Sequence, residues 1–328
     1  MKVAVLGAGS WGSALAIQFS RAGHAVALWS RDSGVAESIR RDGRHPRRLS
    51  GIAIPREVEA TSDLGAAVRG ADTVVLSVPC ASYRNLLSAL PIASGAPRRF
   101  LSTAKGLDPE TGKRMSELIR EAEPGASAAA LSGPTFAEGV ARGDPSAAVV
   151  ADAGEGLAKE LQAAFSTPEL RLYNSEDIVG VELCGALKNV VAIAAGIVSG
   201  LGFGPNTLAA LVTRGLAEIE RIVRGRGGSD RTVHGLAGVG DLMLTCTGQQ
   251  SRNRFVGEQV GRGRALAAIL AEMPEVAEGA RTCLAVPTMA ARAGTEAPIA
   301  EAVVRVLYEG VAPREAIGRL MTRALKTE

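Results

Sequence analysis

The chain has 328 residues, enough for two domains with cores of their own, and 46% of them are hydrophobic while 3% are aromatic. A formal net charge of +3, with Lys and Arg scattered rather than striped, argues against nucleic acid or membrane as the main partner and suits a small anionic ligand. Four cysteines (Cys80, Cys184, Cys246, Cys283) form no C-x-x-C pair, and with only His24, His45 and His234 no metal-ligand spacing is present, so no metal is expected and reduced cysteines in the cytoplasm are the simplest reading.

In chain order, Val3-Ala4-Val5-Leu6 reads as a strand that opens onto Gly7-Ala8-Gly9-Ser10-Trp11-Gly12, a G-x-G-x-x-G. Ser13 to Ala22 has helical spacing, with Leu15 and Phe19 on one face and Gly23 as its stop, and Ala25 to Trp29 reads as a second strand. In that βαβ setting the glycines have separate tasks. Gly7 makes the tight turn, Gly9 lets the backbone touch a pyrophosphate, and Gly12 lets helix and strand pack closely while the helix N-terminus faces the phosphates. The motif alone is weak evidence, because glycine-rich turns are common; with strand, helix and second strand in place it predicts a dinucleotide site. The first strand occupies the N-terminus, so no signal peptide is expected.

The end of the second strand bears on which dinucleotide binds. NAD sites usually carry Asp or Glu there, about 20 residues past the glycines, to hold the ribose hydroxyls. Here the strand ends Trp29-Ser30-Arg31, and a hydroxyl with a guanidinium accepts a 2′-phosphate that a carboxylate would repel. This favours NADP, with NAD tolerated. The alternative is that Arg31 is a solvated loop residue and Asp32 bends back to the ribose.

Further apolar strands follow at 73–78, 99–102, 128–131, 147–150 and 170–173, and their near-continuous hydrophobicity predicts a parallel sheet covered on both faces. After about Asn174 helical patterns take over, at 177–199, 207–223, 255–260, 281–293 and 298–307, with a helix-to-helix turn at 224–228. The expected fold is therefore α/β: a Rossmann-type doubly wound sheet over residues 1–175, followed by an all-α domain over 176–328. The longest apolar run, Val190 to Val198, is too short to span a bilayer, so no membrane insertion is expected.

Several side chains could carry chemistry. Lys188 has Gly185, Cys184, Val191 and Ala192 as its helical neighbours, so it lacks an intrahelical ion pair. It either snorkels to water or points into a cleft, where desolvation and a second lysine would lower its pKa toward that of a working acid/base. Lys105 and Gly133-Pro134-Thr135 each follow a strand's C-terminal end, where open α/β sheets bind ligands, although either could be ordinary loop chemistry. Asp241 closes the glycine-rich stretch Gly235 to Gly240, read as a loop that lets backbone approach a ligand; the alternative makes Asp241 a helix cap. Ser251 can cap a short helix that begins with Arg252 and Asn253, which forms either a phosphate site or a solvated basic turn.

Taken together, these segments resemble the bacterial NAD(P)-dependent glycerol-3-phosphate dehydrogenases from Met1 to about Leu325. The matching stretches are GAGSWG (7–12), TAKGL (103–107), SGPTFA (132–137), ELCGALKNVVAIAAG (182–196), GLGFG with Asn206, TRGLAEI (213–219), GLAGVGDLMLTCT (235–247), QSRNR (250–254) and AEG (277–279). The resemblance implies that Lys188 transfers the proton. It implies that Lys105, Gly133, Thr135, Lys188, Asp241, Ser251, Arg252 and Asn253 hold the substrate. It also implies that Gly7, Gly9, Ser10, Trp11, Gly12, Arg31, Lys105, Ala137, Arg252, Val276 and Glu278 line the NADP or NAD site.

The implied reaction is reversible reduction of dihydroxyacetone phosphate to sn-glycerol 3-phosphate, the glycerol phosphate backbone for phospholipid synthesis, with a homodimer left open. Two departures stand out: the family's acid after the SGPTFA segment is shifted here to Glu138 ahead of Gly139, and a basic position two residues past Asn206 is Leu208. Ketopantoate and 3-hydroxyacid reductases share the architecture and a lysine but bind carboxylates, and a cofactor sensor without turnover is the rival outside enzymes.

Overall fold

Alternate side chains of β1 (Lys2–Leu6) enter two different cores, Val3 and Val5 on one face and Ala4 and Leu6 on the other. A strand buried on both faces has no polar side, which is why it reads as an unbroken apolar run. The computed structural model describes residues 1–91, 99–273 and 276–324. Among them, β2 (Ala25–Trp29), β3 (Val58–Thr61), β4 (Thr73–Leu76), β5 (Arg99–Ser102), β6 (Ser127–Ser132), β7 (Ser146–Ala151) and β8 (Leu170–Ser175) complete one sheet in the order β3-β2-β1-β4-β5-β6-β7-β8. The strand order reverses beside β1, and a doubly wound sheet binds ligands at such a switch point.

Helices α1 (Ser10–Arg21), α2 (Ser33–Asp42), α3 (Leu64–Val68), α4 (Tyr83–Ala89), α5 (Met115–Ala122), α6 (Ala137–Arg142) and α7 (Leu157–Phe165) cover the two faces. Leu15 and Phe19 of α1, Val35 and Ile39 of α2, Val140 of α6 and Phe165 of α7 share the core with Val3 and Val5. Tyr83, Leu86 and Leu87 of α4 and Leu118 and Ile119 of α5 share the other with Leu6. The Phe19 and Phe165 rings stack with centroids 4.1 Å apart.

The sheet departs from the expected all-parallel arrangement at one junction: β6 and β7 pair antiparallel, Ser132 against Val149 and Ala130 against Ala151. Apolar continuity reports burial on both faces and carries no direction, so the reversal left no mark in the sequence. The strand expected over 73–78 ends at Leu76, before Pro79 opens a 3-10 turn over Cys80–Ser82.

Packing divides the chain into two units, one of Met1–Ala104 with Lys113–Val181 and the other of Lys105–Gly112 with Glu182–Glu328. The division falls after Val181, and the segment after β5 that begins with Lys105 groups with the second unit. The second unit is helical: most of α8 (Ile178–Gly200), then α9 (Pro205–Gly225), α10 (Asp230–Val233), α11 (Asp241–Thr247), α12 (Arg252–Gly261), α13 (Leu266–Glu272), α14 (Glu278–Arg292), α15 (Pro298–Tyr308) and α16 (Pro313–Met321). The run Val190 to Val198 lies inside α8, whose 23 residues are long and apolar enough to cross a membrane by length and composition. Its most apolar window is 94% buried within the protein, which makes α8 a core helix.

Glycines fix how α8 meets α12. A Cβ on Gly196 would lie 2.0 Å from the Arg254 carbonyl oxygen, and one on Gly257 would lie 2.0 Å from that of Ile193. Gly200 against Glu258 and Gly261 against Ile197 repeat the contact one turn on. The two backbones therefore touch along a seam in the same sense, and only residues without a side chain permit it.

Candidate active site

Helix α8 carries Lys188 into the interior of the second unit, where its side chain is 6% exposed. Its Nζ donates to Asp241 Oδ1 at 2.8 Å and to Thr245 Oγ1 at 2.6 Å. The second oxygen of Asp241, Oδ2, accepts from Lys105 Nζ at 2.7 Å. One carboxylate, 2% exposed, thus bridges two ammonium groups. The Thr245 hydroxyl donates to the Asp241 main-chain carbonyl one helical turn earlier, so a lone pair is left for Lys188. Of the three N–H donors on Lys188, two are used among the described residues and one remains.

Of the two readings of Lys188, snorkelling is ruled out by this burial. Desolvation lowers the Lys188 pKa to about 8, against the attraction of Asp241 and with the repulsion of Lys105. Burial alone would raise the Asp241 pKa, but Lys105 and Lys188 outweigh it and hold the carboxyl below its usual range. Cys246, next along α11, is pushed up to about 12 by burial and stays a thiol.

The stretch before Asp241 is not the loop its glycines suggested. Leu236–Gly240 forms a π-helical turn that runs into α11. A Cβ on Gly238 would lie 1.9 Å from the Val233 carbonyl oxygen, so this glycine serves close packing against α10. Asp241 does not act as the helix cap either: Gly240 holds the N-cap position, and both Asp241 oxygens face lysines.

An amide relay braces the cluster. Asn189 Nδ2 donates to the Lys105 carbonyl at 2.7 Å, and Asn189 Oδ1 accepts from Asn253 Nδ2 at 2.9 Å. Asn253 Oδ1 in turn accepts from the Gly279 amide at 2.9 Å. The carbonyl and amide at the two ends fix both side-chain orientations. Asn189 and Thr245 were missed in the sequence. Their signals were faint: Asn189 is an amide beside Lys188 in an apolar helix, and Thr245 lies one turn after Asp241.

Ser251 caps α12, accepting from the Arg254 amide at 3.2 Å, and Asn253 is nearly buried. Arg252, the first residue of α12, is exposed at the same helix start, so Ser251, Arg252 and Asn253 come together at one N-terminus. Asn253 is 8% exposed and already holds two partners, so it braces the start of α12 against Asn189 and Gly279. Glu278 opens α14 two residues after Val276, which is 41% exposed.

In the first unit, Gly7 has φ +118°, and a Cβ there would lie 2.4 Å from the Ser77 carbonyl oxygen. A Cβ on Gly12 would lie 1.9 Å from the Gly7 carbonyl oxygen, whereas one on Gly9 would meet nothing within 4 Å. Two glycines thus close the turn and the third faces open space, the cradle a pyrophosphate needs. No side chain caps α1, and no acid occupies its first turn, which begins with Ser10 and Trp11. The residues present fit a dinucleotide.

Arg31, past the end of β2, is exposed. Asp32 is engaged instead of open to a ribose: Oδ1 accepts from the Gly34 and Val35 amides as the cap of α2, and Oδ2 accepts from Arg47 at 2.6 Å. Gly133, at φ +148°, and Thr135 shape the turn after β6, where Thr135 N and Oγ1 both donate to the Gly133 carbonyl. Ala137 opens α6, and the shifted acid Glu138 pairs with Arg142 at 2.9 Å.

The chain matches known proteins along both units. Residues 2–158 match the family model for the NAD-dependent glycerol-3-phosphate dehydrogenase N-terminus, and residues 177–318 match that for its C-terminus. The chain is 45% identical to a protein of Anaeromyxobacter dehalogenans named glycerol-3-phosphate dehydrogenase (NAD(P)+), across 100% of each chain. A crystal structure of glycerol-3-phosphate dehydrogenase from Coxiella burnetii aligns with a TM-score of 0.92 at 35% identity, covering 98% of this chain and 99% of that one. A ketopantoate reductase from Ralstonia eutropha, 18% identical with a TM-score of 0.62 and covering 97% of this chain and 100% of that one, shares the fold alone.

Proposed function

The chain belongs to the NAD-dependent glycerol-3-phosphate dehydrogenase family, and on that premise we propose that it reduces dihydroxyacetone phosphate to sn-glycerol 3-phosphate, reversibly, with Lys188 as proton donor and acceptor. The observation that carries the assignment of Lys188 is the Asp241 carboxylate bridging two lysines, one of them buried. When bound, the reduced nicotinamide supplies hydride to the ketone carbon. Protonated Lys188 stabilises the charge growing on the ketone oxygen and delivers its proton there; in reverse, neutral Lys188 takes the hydroxyl proton. A pKa near 8 supports both tasks, because both protonation states are accessible near neutral pH.

Asp241 orients the Lys188 ammonium and, with Thr245, directs its remaining N–H. Lys105 adds positive potential and shares the substrate with Gly133, Thr135, Ser251, Arg252 and Asn253. The start of α12 grips the phosphate, and binding energy from that non-reacting end holds the ketone in place. Gly7, Gly9, Ser10, Trp11, Gly12, Arg31, Lys105, Ala137, Arg252, Val276 and Glu278 line the cofactor, with NADP favoured over NAD. Four buried cysteines, none of them in a disulfide, support a cytoplasmic place of action, where the product feeds phospholipid synthesis.

The deciding assay mixes the protein with NADPH and dihydroxyacetone phosphate and follows nicotinamide absorbance, with ketopantoate as control. Oxidation with the phosphorylated ketone alone is expected. Oxidation with ketopantoate alone, or with neither, would overturn the reading.

A further inference from the structure

The segment after α2 carries Arg44, His45, Arg47 and Arg48, and two bonds tie it to the dinucleotide turn and the end of β2. His45, 8% exposed, is fixed in one tautomer. Its Nδ1 accepts from the Arg47 amide at 3.1 Å, so its Nε2 donates to the Ala8 carbonyl, 2.8 Å away inside the G-x-G-x-x-G turn. Burial lowers the His45 pKa, which keeps the ring neutral and its Nδ1 able to accept from the Arg47 amide. Arg47 then reaches Asp32 Oδ2 at 2.6 Å. Asp32 is the one acid directly beside Arg31, at the position where it could hold ribose hydroxyls or repel a 2′-phosphate.

We propose that Arg47 sets the cofactor choice: by pairing with Asp32 it withdraws the carboxylate from the ribose and leaves the end of β2 a site for a 2′-phosphate. His45 is the positioning residue that anchors Arg47 to the glycine turn. With Arg47 in place the Asp32 charge is matched, so the carboxylate no longer repels a phosphate dianion at the end of β2. Without Arg47, Asp32 keeps its cap bonds through Oδ1 but regains Oδ2 for a ribose hydroxyl. The pair is exposed, so its worth lies in directing a ligand rather than in stability. The inference rests on the dinucleotide reading above.

The test is a cycle of Arg47→Ala, Asp32→Asn and the double variant, with Arg47→Lys as the conservative control. Binding of adenosine 2′,5′-bisphosphate and of 5′-AMP is measured by calorimetry, and kcat/KM is measured with NADPH and with NADH. Arg47→Ala is expected to lower the preference for the 2′-phosphorylated ligand by about tenfold in both readouts. Arg47→Lys should keep most of it. Asp32→Asn, which retains a capping oxygen, should restore much of the preference when added to Arg47→Ala and change it little alone. An unchanged ratio in Arg47→Ala, or effects of the two substitutions that simply multiply, would overturn the proposal. Wild-type protein that binds neither nucleotide would instead overturn the dinucleotide reading itself.

Discussion

Lys188 Nζ stands 2.8 Å from Asp241 Oδ1 with both side chains almost wholly out of water. A lysine so placed can be removed without stranding its partner, because Asp241 keeps Lys105 at 2.7 Å. Lys188→Met is accordingly expected to abolish turnover while leaving NADPH affinity within about twofold, since the dinucleotide turn belongs to the other unit. Stopped-flow or steady-state absorbance and a separate NADPH titration check this. Near-normal turnover would remove Lys188 from the mechanism.

The lowered pKa of Lys188 sets opposite pH profiles for the two directions. Reduction needs the ammonium, so its kcat should fall as pH rises through about 8; oxidation needs the free amine and should rise through the same region. Stability follows from the same shift. Between about 8 and the ordinary value of 10.5 the unfolded chain holds a proton that the fold has released, so the Lys188 contribution to stability rises with pH there. Denaturant melts of wild type against Lys188→Met across that window should differ with this sign. A reductive profile that rises through pH 8 would contradict the assignment.

Asp241→Asn should be more damaging than its size suggests. It removes the negative charge between two ammonium groups, so Lys188 should lose its proton at lower pH and the oxidative limb should shift down. Leaving the lysines without their carboxylate should cost about 3 kcal/mol in folding stability, and kcat should fall on the order of a hundredfold. Equilibrium unfolding and a pH–rate series measure the two effects. An unmoved oxidative limb would mean that Asp241 does not tune Lys188.

What could be read from the sequence depends on the range of the interaction. The turn at Gly7 to Gly12 was legible because strand, glycines and helix are contiguous, Gly7 and Gly12 each answer a local clash, and Gly9 leaves space for a ligand. Lys188 stood out because its own helix offers no counter-ion, yet its partners Asp241 and Thr245 lie 53 and 57 residues on and no pattern announces such pairings. Asn189 leaves no such mark in the sequence because its partners Lys105 and Asn253 are 84 and 64 residues away. The glycines from Gly235 to Gly240 misled for a physical reason: glycine marks close backbone approach as well as flexible loops, and here it permits a π-helical turn. Asp32, beside Arg31, could not be judged without seeing Arg47 arrive from 15 residues away.

Glu218, inside the TRGLAEI stretch, has a structural task that can be isolated. Its buried carboxylate accepts the amides of Ile299 at 2.9 Å and Ala300 at 3.1 Å, capping α15 from α9. Burial raises its pKa to about 7 despite those bonds. Between about 4.5 and 7 the fold holds a proton that the unfolded chain gives up, so this group adds stability as pH falls through 7 and the gain levels off below 4.5. Glu218→Gln should abolish that gain and cost about 1–3 kcal/mol, because only one amide acceptor survives. Denaturation at about pH 5 and about pH 8 compares the two proteins; an identical pH dependence would show that Glu218 does not titrate in this window.

Arg252→Ala tests the phosphate grip at the start of α12, where the exposed guanidinium shares a helix N-terminus with Ser251 and Asn253. Losing a charge-assisted contact to a phosphate should cost about 2–4 kcal/mol in kcat/KM, part of it in kcat if the grip also positions the ketone. The control is dihydroxyacetone, which lacks the phosphate. Wild type should use it poorly, and Arg252→Ala should harm it far less than the phosphorylated substrate. Because Arg252 is also assigned to the cofactor site, NADPH affinity is titrated separately. Equal losses for both substrates with NADPH binding unchanged would show that Arg252 does not hold the phosphate and would move that role to Lys105 and the amides of α12.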